Sequence, residues 1–294
     1  MTVPENHRQK AMEALQQGNL ELAIASLELA LLETPDDLEV YRAAGRFLRA
    51  AGRIDEAAAW YQRCLAIAPA DSIAMMGLVA IGHAPVPPRL PDDVVLYVFD
   101  RNAGTYDANM RSLGYGVPEV LRDLLRADGV SEEGLLDVLD LGCGSGWCGP
   151  LFRPFSRRLV GVDLSPRMLA LATEKRVYDE LVQGEILEYL GRAAGVADLV
   201  VCANVLMYFG DLGALVAGLA HTLRRGGRFV FDVEKGEGMT SGFHVSGRYT
   251  HSLALLEKAL QPHGFVLTQV HEMVMRSELG RPVAGLHVVA RLPV

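Results

Sequence analysis

The sequence predicts two folded units on one chain: an all-α repeat module, followed by an α/β unit built on a seven-stranded, mostly parallel sheet. Three observations carry this prediction. Gly18, Ala23, Ala30 and Pro35 recur as Gly52, Ala57, Cys64 and Pro69, each displaced by 34 residues. The segment Ala84-Pro85-Val86-Pro87-Pro88-Arg89-Leu90-Pro91 is too rich in proline for a regular helix and reads as an extended connector. Beyond it, β-rich apolar runs alternate with helical patterns, as in a doubly wound parallel sheet. The chain has 294 residues, half of them hydrophobic, which is enough for two cores.

In the first unit, small residues fall where two helices cross and a proline closes the second helix of each pair. Ala11 and Ala14 answer to Gly45 and Leu48 in the same register, and Asp71 to Ile81 reads as a third, solitary helix that caps the stack. The period and these positions resemble the tetratricopeptide repeat. The boundaries are therefore 1–82 for the repeat module, 83–92 for the linker and 93–294 for the α/β unit. Its strands are expected at Leu135–Leu141, Arg158–Asp163, Leu181–Gln183, Asp198–Cys202, Arg228–Val233, Phe265–Val274 and Leu286–Arg291. Helices are expected near Pro166–Lys175, Leu212–Leu223 and His251–Leu260. The first and fourth strands are almost continuously apolar, which suits the buried centre of such a sheet.

Composition excludes several functions. A net charge of -8 and no Lys/Arg-rich run argue against a nucleic-acid partner. The N-terminus lacks the pattern of a secretory signal, and no apolar run approaches the ~20 residues needed to span a bilayer. No membrane association and a cytoplasmic location are the expectation. Cys64, Cys143, Cys148 and Cys202 form no CxxC pair and have no histidine at zinc-ligand spacing, so no metal site is expected.

The sharpest motif is Val138-Leu139-Asp140-Leu141-Gly142-Cys143-Gly144-Ser145-Gly146, a buried strand that breaks into a glycine-rich turn. Glycines let the backbone bend tightly and let a ligand approach closely. Asp163 ends the next strand, where a carboxylate can accept hydrogen bonds from both hydroxyls of a ribose. These two features also suit a nicotinamide dinucleotide and an oxidoreductase. That fingerprint, however, wants its third glycine at position 147, where this chain has Trp147, and an indole there should hinder pyrophosphate docking.

The loop resembles motif I of class I S-adenosylmethionine-dependent methyltransferases, which have a Rossmann-like fold. Gly161-Val162-Asp163-Leu164-Ser165-Pro166-Arg167-Met168-Leu169 is similar to that family's second motif, with Ser165 capping the following helix. Gly184-Glu185, Asp198 to Leu206 and Leu223 to Gly227 resemble the next three. Upstream, Phe99-Asp100-Arg101-Asn102-Ala103-Gly104-Thr105-Tyr106-Asp107 is similar to a segment of a bacterial group of methyltransferases that carry tetratricopeptide repeats. The resemblance implies S-adenosylmethionine as cofactor and an antiparallel final strand. It implies cofactor contacts at Asp140, Gly142, Cys143, Gly144, Gly146, Asp163, Leu164, Met168, Glu185, Ile186 and Asn204, with Leu206 beside the reacting methyl group.

On the acceptor side, Tyr106 and Tyr115 are candidates to close over the sulfonium, or they seal helices onto the sheet. His251 is the candidate base, or it starts a helix. Arg248 and Arg276, with Tyr208 and Tyr249, are candidates to hold an acceptor. A guanidinium would grip a carboxylate through two parallel hydrogen bonds, or the two arginines make internal ion pairs. The leading expectation is methyl transfer by in-line displacement to a small molecule or peptide. A repeat-bearing adaptor or sensor that binds the nucleoside without turnover remains open, as does a protein partner on the repeats.

Overall fold

In the computed structural model, which describes residues 3–238, 241–278 and 280–294, the 34-residue repeat becomes two helix pairs and a fifth helix. These are α1 (Val3–Gln16), α2 (Leu20–Glu33), α3 (Leu38–Ala50), α4 (Ile54–Ile67) and α5 (Ser72–Ala80). Gly18 and Gly52 turn the chain within each pair at φ +74° and +78°, a conformation that costs a side chain dearly. The repeat also shows in the capping, since Asp37 accepts from the Glu39 N–H and Asp71 from the Ala74 N–H. Ala23, Ala30, Ala57 and Cys64 are buried at the helix crossings. The Tyr61 ring fills the space beside Gly45 and Gly77, where an added Cβ would lie 2.6 and 2.4 Å from it. Larger residues there would overpack the stack by roughly 1–3 kcal/mol.

The chain divides into two units, Met1–Val86 with Val245–Gly247 and Pro87–His244 with Arg248–Val294. The division falls inside the segment 83–92, expected to be an extended connector. Its second half belongs to the α/β unit: Leu90 N–H donates to the Tyr208 carbonyl, and the Pro88 carbonyl accepts from Gly210 and Asp211. Then follow α6 (Asp92–Asn102), α7 (Tyr106–Ser112) and α8 (Val117–Ala127).

The strands of this unit are β1 (Leu136–Leu141), β2 (Ser156–Asp163), β3 (Glu180–Gln183), β4 (Ala197–Cys202), β5 (Leu223–Glu234), β6 (Gly242–Phe243), β7 (Tyr249–Thr250), β8 (Val266–Glu278) and β9 (Arg281–Arg291). Between them lie α9 (Gly149–Phe152), α10 (Pro166–Glu174), α11 (Ile186–Arg192), α12 (Gly213–Thr222) and α13 (Leu253–Leu260). Among the described residues, seven strands form one sheet in the order β3-β2-β1-β4-β5-β9-β8. All neighbours pair parallel except β9, which runs antiparallel to both β5 and β8. This is the seven-stranded Rossmann-like fold expected from the sequence.

Alternation along the central strands covers both faces. Leu139, Leu141, Val200, Cys202, Phe229 and Phe231 enter one core, against α11, α12 and α13. Val138, Leu199, Val201 and Val230 enter the other, against α8 and α9. Because β1 lies between β2 and β4, the winding reverses there, and a crevice opens beyond the carboxyl ends of these strands.

Three elements depart from expectation. The strand expected at Arg228–Val233 begins earlier, at Leu223, and takes in Gly226 and Gly227 at the irregularity where the pairing with β4 passes from Ala197–Leu223 to Leu199–Arg228. The last hairpin runs longer than its apolar stretch, because β8 continues through the buried Arg276. Helix α13 starts at Leu253 with Ser252 as its cap, leaving His251 in a bridge with Lys235.

Candidate active site

Residues following β1, β2, β3 and β4 converge on one pocket, with a wall supplied by the segment before α6 and by α6 itself. Gly142 and Gly144 line it from the first strand end, Asp163 and Leu164 from the second, and Gly184, Glu185 and Ile186 from the third. The fourth contributes Ala203, Asn204 and Val205. The space amounts to about 680 Å³, open mouth included.

The glycine loop is shaped by three positive φ angles, +69° at Gly142, +54° at Gly144 and +80° at Gly146. Their surroundings differ. A Cβ at Gly142 would lie 2.4 Å from Cγ2 of Val205, and one at Gly146 would lie 3.1 Å from Ala172 on α10. At Gly144 the nearest atom to an added Cβ is the Gly142 carbonyl oxygen, 3.9 Å away, so this glycine faces open pocket. Bare backbone there is a cradle that a side chain would fill.

Asp163 is fixed by two main-chain donors: Ser165 N–H to Oδ1 and Gly144 N–H to Oδ2, both at 2.8 Å. Each oxygen retains a second acceptor position, so the carboxylate can still receive two hydroxyl groups. Burial raises its pKa, and the two N–H donors oppose that rise. Ser165 starts α10, accepting from the Met168 N–H at 3.1 Å, and its hydroxyl also meets Asp100. Glu185 caps α11 by accepting from the Glu188 N–H at 2.9 Å. Its other oxygen lies 3.6 Å from Arg89, which also pairs with Asp92 at 2.5 Å.

Asn204 holds φ +61°, an uncommon conformation for a residue with a side chain. Its backbone N–H donates to buried Asp232 at 2.7 Å. Its amide nitrogen lies 3.5 Å from the Tyr106 hydroxyl, and its oxygen accepts from Arg276 at 3.4 Å. Tyr106, Phe99 and Tyr208 line the pocket as mutually tilted rings, with Phe99 5.9 Å from Tyr106 and 5.7 Å from Tyr208. Burial pushes the Tyr106 phenol well above its ordinary pKa, so it stays protonated.

Of the expected site residues, Tyr106, Gly142, Gly144, Asp163, Leu164, Glu185, Ile186, Asn204 and Tyr208 line this pocket. The others lie elsewhere. Asp140 sits beneath the loop, accepting from the Tyr178 hydroxyl at 2.6 Å, and burial raises its pKa to about 7. Cys143, Gly146 and Met168 pack behind the loop, with Cys143 and Met168 buried. Leu206 is buried in the sheet core. Tyr115 is buried and meets Trp147 edge-on at 5.8 Å, which matches the packing alternative.

Of the acceptor-side candidates, Tyr106 and Tyr208 line the pocket, whereas His251, Tyr249, Arg248 and Arg276 are not among its lining residues. His251 is fully buried, and burial pulls its pKa down to about 4, with the Phe209 main chain opposing that fall. It is poorly suited to take a proton from a pocket ligand. Tyr249 is buried and donates to the Pro87 carbonyl. Arg248 and Arg276 form a closed cluster with Glu234 and Glu278: Arg276 bonds Glu278 at 2.7 Å and also Glu234, while Arg248 pairs with both carboxylates. With both forks engaged, the expectation that they grip an acceptor carboxylate gives way to the ion-pair alternative.

Several lining residues escaped the sequence reading: Arg89, Leu90, Asp92, Val95, Phe99, Val205 and Phe209. The spacing of Asp92, Val95 and Phe99, one face of a helix starting just after Pro91, was the signal.

Comparison with known proteins gives two family matches. Residues 139–231 match the methyltransferase domain model, and residues 8–72 match a tetratricopeptide repeat model. A malonyl-[acyl-carrier protein] O-methyltransferase of Serratia marcescens is 31% identical over 137 residues, 47% of this chain and 51% of that protein. An 18S rRNA (guanine-N(7))-methyltransferase of Arabidopsis thaliana is 31% identical over 107 residues, 33% of this chain and 37% of that protein. The chain thus spans about half or less of the length of these curated relatives. Among solved structures, magnesium protoporphyrin IX methyltransferase from Synechocystis PCC 6803 with bound SAH is 22% identical, with a TM-score of 0.52. That match covers 68% of this chain and 98% of the other.

Proposed function

From a chain that carries a methyltransferase domain behind tetratricopeptide repeats, we propose an enzyme that transfers a methyl group from S-adenosylmethionine to a small-molecule or peptide acceptor. The observation that carries this reading is Asp163, oriented by two backbone N–H groups beside the open face of Gly144. Its unused lone pairs suit the two ribose hydroxyls, and the bare loop leaves room for the rest of the nucleoside. Glu185 and the backbone of Ile186 are assigned to the adenine. The Synechocystis neighbour, with a TM-score of 0.52, supports the fold.

When bound, S-adenosylmethionine supplies a methyl group on a positively charged sulfonium. The chain's own contribution is alignment and exclusion of water. Phe99, Tyr106 and Tyr208 wall the pocket beside Asn204, whose unusual backbone is fixed by Asp232. Asp92, Asp163 and Glu185 outnumber Arg89 in the lining, and Arg248 and Arg276 are engaged elsewhere. With Arg89 paired to Asp92 and Glu185, and Arg248 and Arg276 engaged with Glu234 and Glu278, no guanidinium of these is left to grip a carboxylate, and we infer a neutral or cationic acceptor.

A second reading, binding without turnover, is favoured by one observation: among the described residues that line the pocket there is no histidine, cysteine or lysine. No described helix is long and apolar enough to cross a membrane. The four cysteines are buried and free, which suits a reducing cytoplasm.

Calorimetry with S-adenosylmethionine, S-adenosylhomocysteine and NAD tests the ligand class, with Asp163→Ala as control. Affinity for the first two, lost at least tenfold in the variant, is expected. Binding of NAD alone, or an Asp163→Ala protein that binds as the wild type does, would overturn the reading. Product formation with amine and hydroxyl acceptors then separates the enzyme from the sensor.

A further inference from the structure

The outward face of α2 differs from its counterpart in the second repeat in chemistry alone. Glu21, Leu22, Ala25, Glu28, Leu29, Leu32 and Glu33 are all exposed, while Ala23, Ser26, Leu27, Ala30 and Leu31 face the core. Thirty-four residues on, the same seven positions of α4 are exposed too, and they read Asp55, Glu56, Ala59, Gln62, Arg63, Ala66 and Ile67. Where the second repeat has Glu56, Arg63 and Ala66, the first has three leucines that are 51%, 47% and 78% exposed. The repeat thus supplies its own control, because the fold at this face does not require leucine.

Leu22, Ala25, Leu29 and Leu32 follow the 3-4-3 spacing of a helix-pairing seam, and such a row anchors a second helix. The seam's borders carry Glu28 and Glu33, together with Glu21, which is paired with Arg53, and α2 itself has no Lys or Arg. Pairing with a second copy of α2 would set glutamates against glutamates, and an anionic lipid surface would be repelled likewise. We propose that the outer face of α2 docks an amphipathic helix from a partner protein, one with a leucine-type seam bordered by Lys or Arg. This surface is separate from the pocket and does not depend on what the pocket binds.

The test uses the full chain and two synthetic helical peptides with identical leucine seams, one bordered by lysines and one by glutamates. A triple variant, Leu22→Glu with Leu29→Arg and Leu32→Ala, imports the second repeat's residues. These positions are solvent-exposed, so folding should survive, and circular dichroism checks it. Fluorescence anisotropy at low salt should show the lysine peptide binding the wild type at least tenfold more tightly than the triple variant. Binding should weaken with added salt, and the glutamate peptide should bind at least tenfold more weakly than the lysine one. Equal affinity of the lysine peptide for both proteins would overturn the proposal. So would wild-type dimers in sedimentation that the triple variant abolishes, since the occupant would then be a second copy. Flotation of the wild type, but not the variant, with phosphatidylserine vesicles would make it a lipid surface instead.

Discussion

Replacing Gly142 with alanine should damage the pocket through two separable effects. The residue sits at φ +69°, and a side chain in the left-handed region costs roughly 1–2 kcal/mol. The new Cβ would lie 2.4 Å from Cγ2 of Val205, an overlap against a buried residue that belongs to the overpacking class, about 1–3 kcal/mol. Together these predict about 2–5 kcal/mol lost from unfolding stability, read from urea titrations without ligand. Val205→Ala alone removes buried methyl groups and should cost about 1–2 kcal/mol. In the double variant the cavity receives the new methyl, so the overlap disappears while the backbone cost remains. The double variant should therefore lose about 1–3 kcal/mol less than the sum of the singles. Additive losses would refute the reasoning, because they would mean that Val205 does not limit what the loop can carry.

Two further perturbations follow from buried charge. Asp140 has its pKa raised by burial from 3.8 to about 7, so its contribution to stability is greatest below pH 3.8 and declines as pH rises through 7. His251 is shifted down from 6.5 to about 4, so its contribution is full above pH 6.5 and is lost as pH falls through 4. These opposing slopes overlap between about pH 4 and 6.5 and partly cancel. Buried Asp232, also raised to about 7, adds to the slope of Asp140. Relative to the wild type, Asp140→Asn should therefore shift the slope of stability against pH in that window upward, and His251→Leu should shift it downward; urea midpoints that keep the wild-type pH profile in both would contradict the assignment. In the repeat module, Asp71 caps α5 and binds the partly buried Arg42. Asp71→Ala should lower the thermal midpoint by several degrees, from a cap loss of about 0.5–2 kcal/mol plus the loss of one of Arg42's two carboxylate partners, Glu39 being retained, and an unchanged midpoint would count against it.

The parts of the fold that were legible in the sequence are those in which one residue type admits one conformation. Gly18 and Gly52 announced the repeat, the apolar β1 and β4 announced the sheet centre, and Ser165 announced the start of α10. The Gly142–Gly146 turn with Asp163 was readable for the same reason. What was hidden depended on distant partners. Arg276 and Glu278 look like surface residues, but their ion pairs with Arg248 and Glu234 let β8 run through them. His251 looked available because its neighbours are polar, yet the fold buries it. The prolines before α6 suggested an extended connector, and nothing local reveals that Pro88 and Leu90 hydrogen-bond to residues near Phe209.

That last attachment bears on how the protein is made. The residues at Arg89 and Leu90 leave the ribosome more than a hundred residues before Phe209 and Tyr208, their hydrogen-bonded anchors. Until β4 and the turn after it have emerged, the pocket has a wall with nowhere to rest, and its apolar residues Leu90, Val95 and Phe99 must wait uncovered or beneath a chaperone. A nascent chain stalled before Phe209 should remain open to proteolysis at residues 83–92, and one stalled past β5 should resist it.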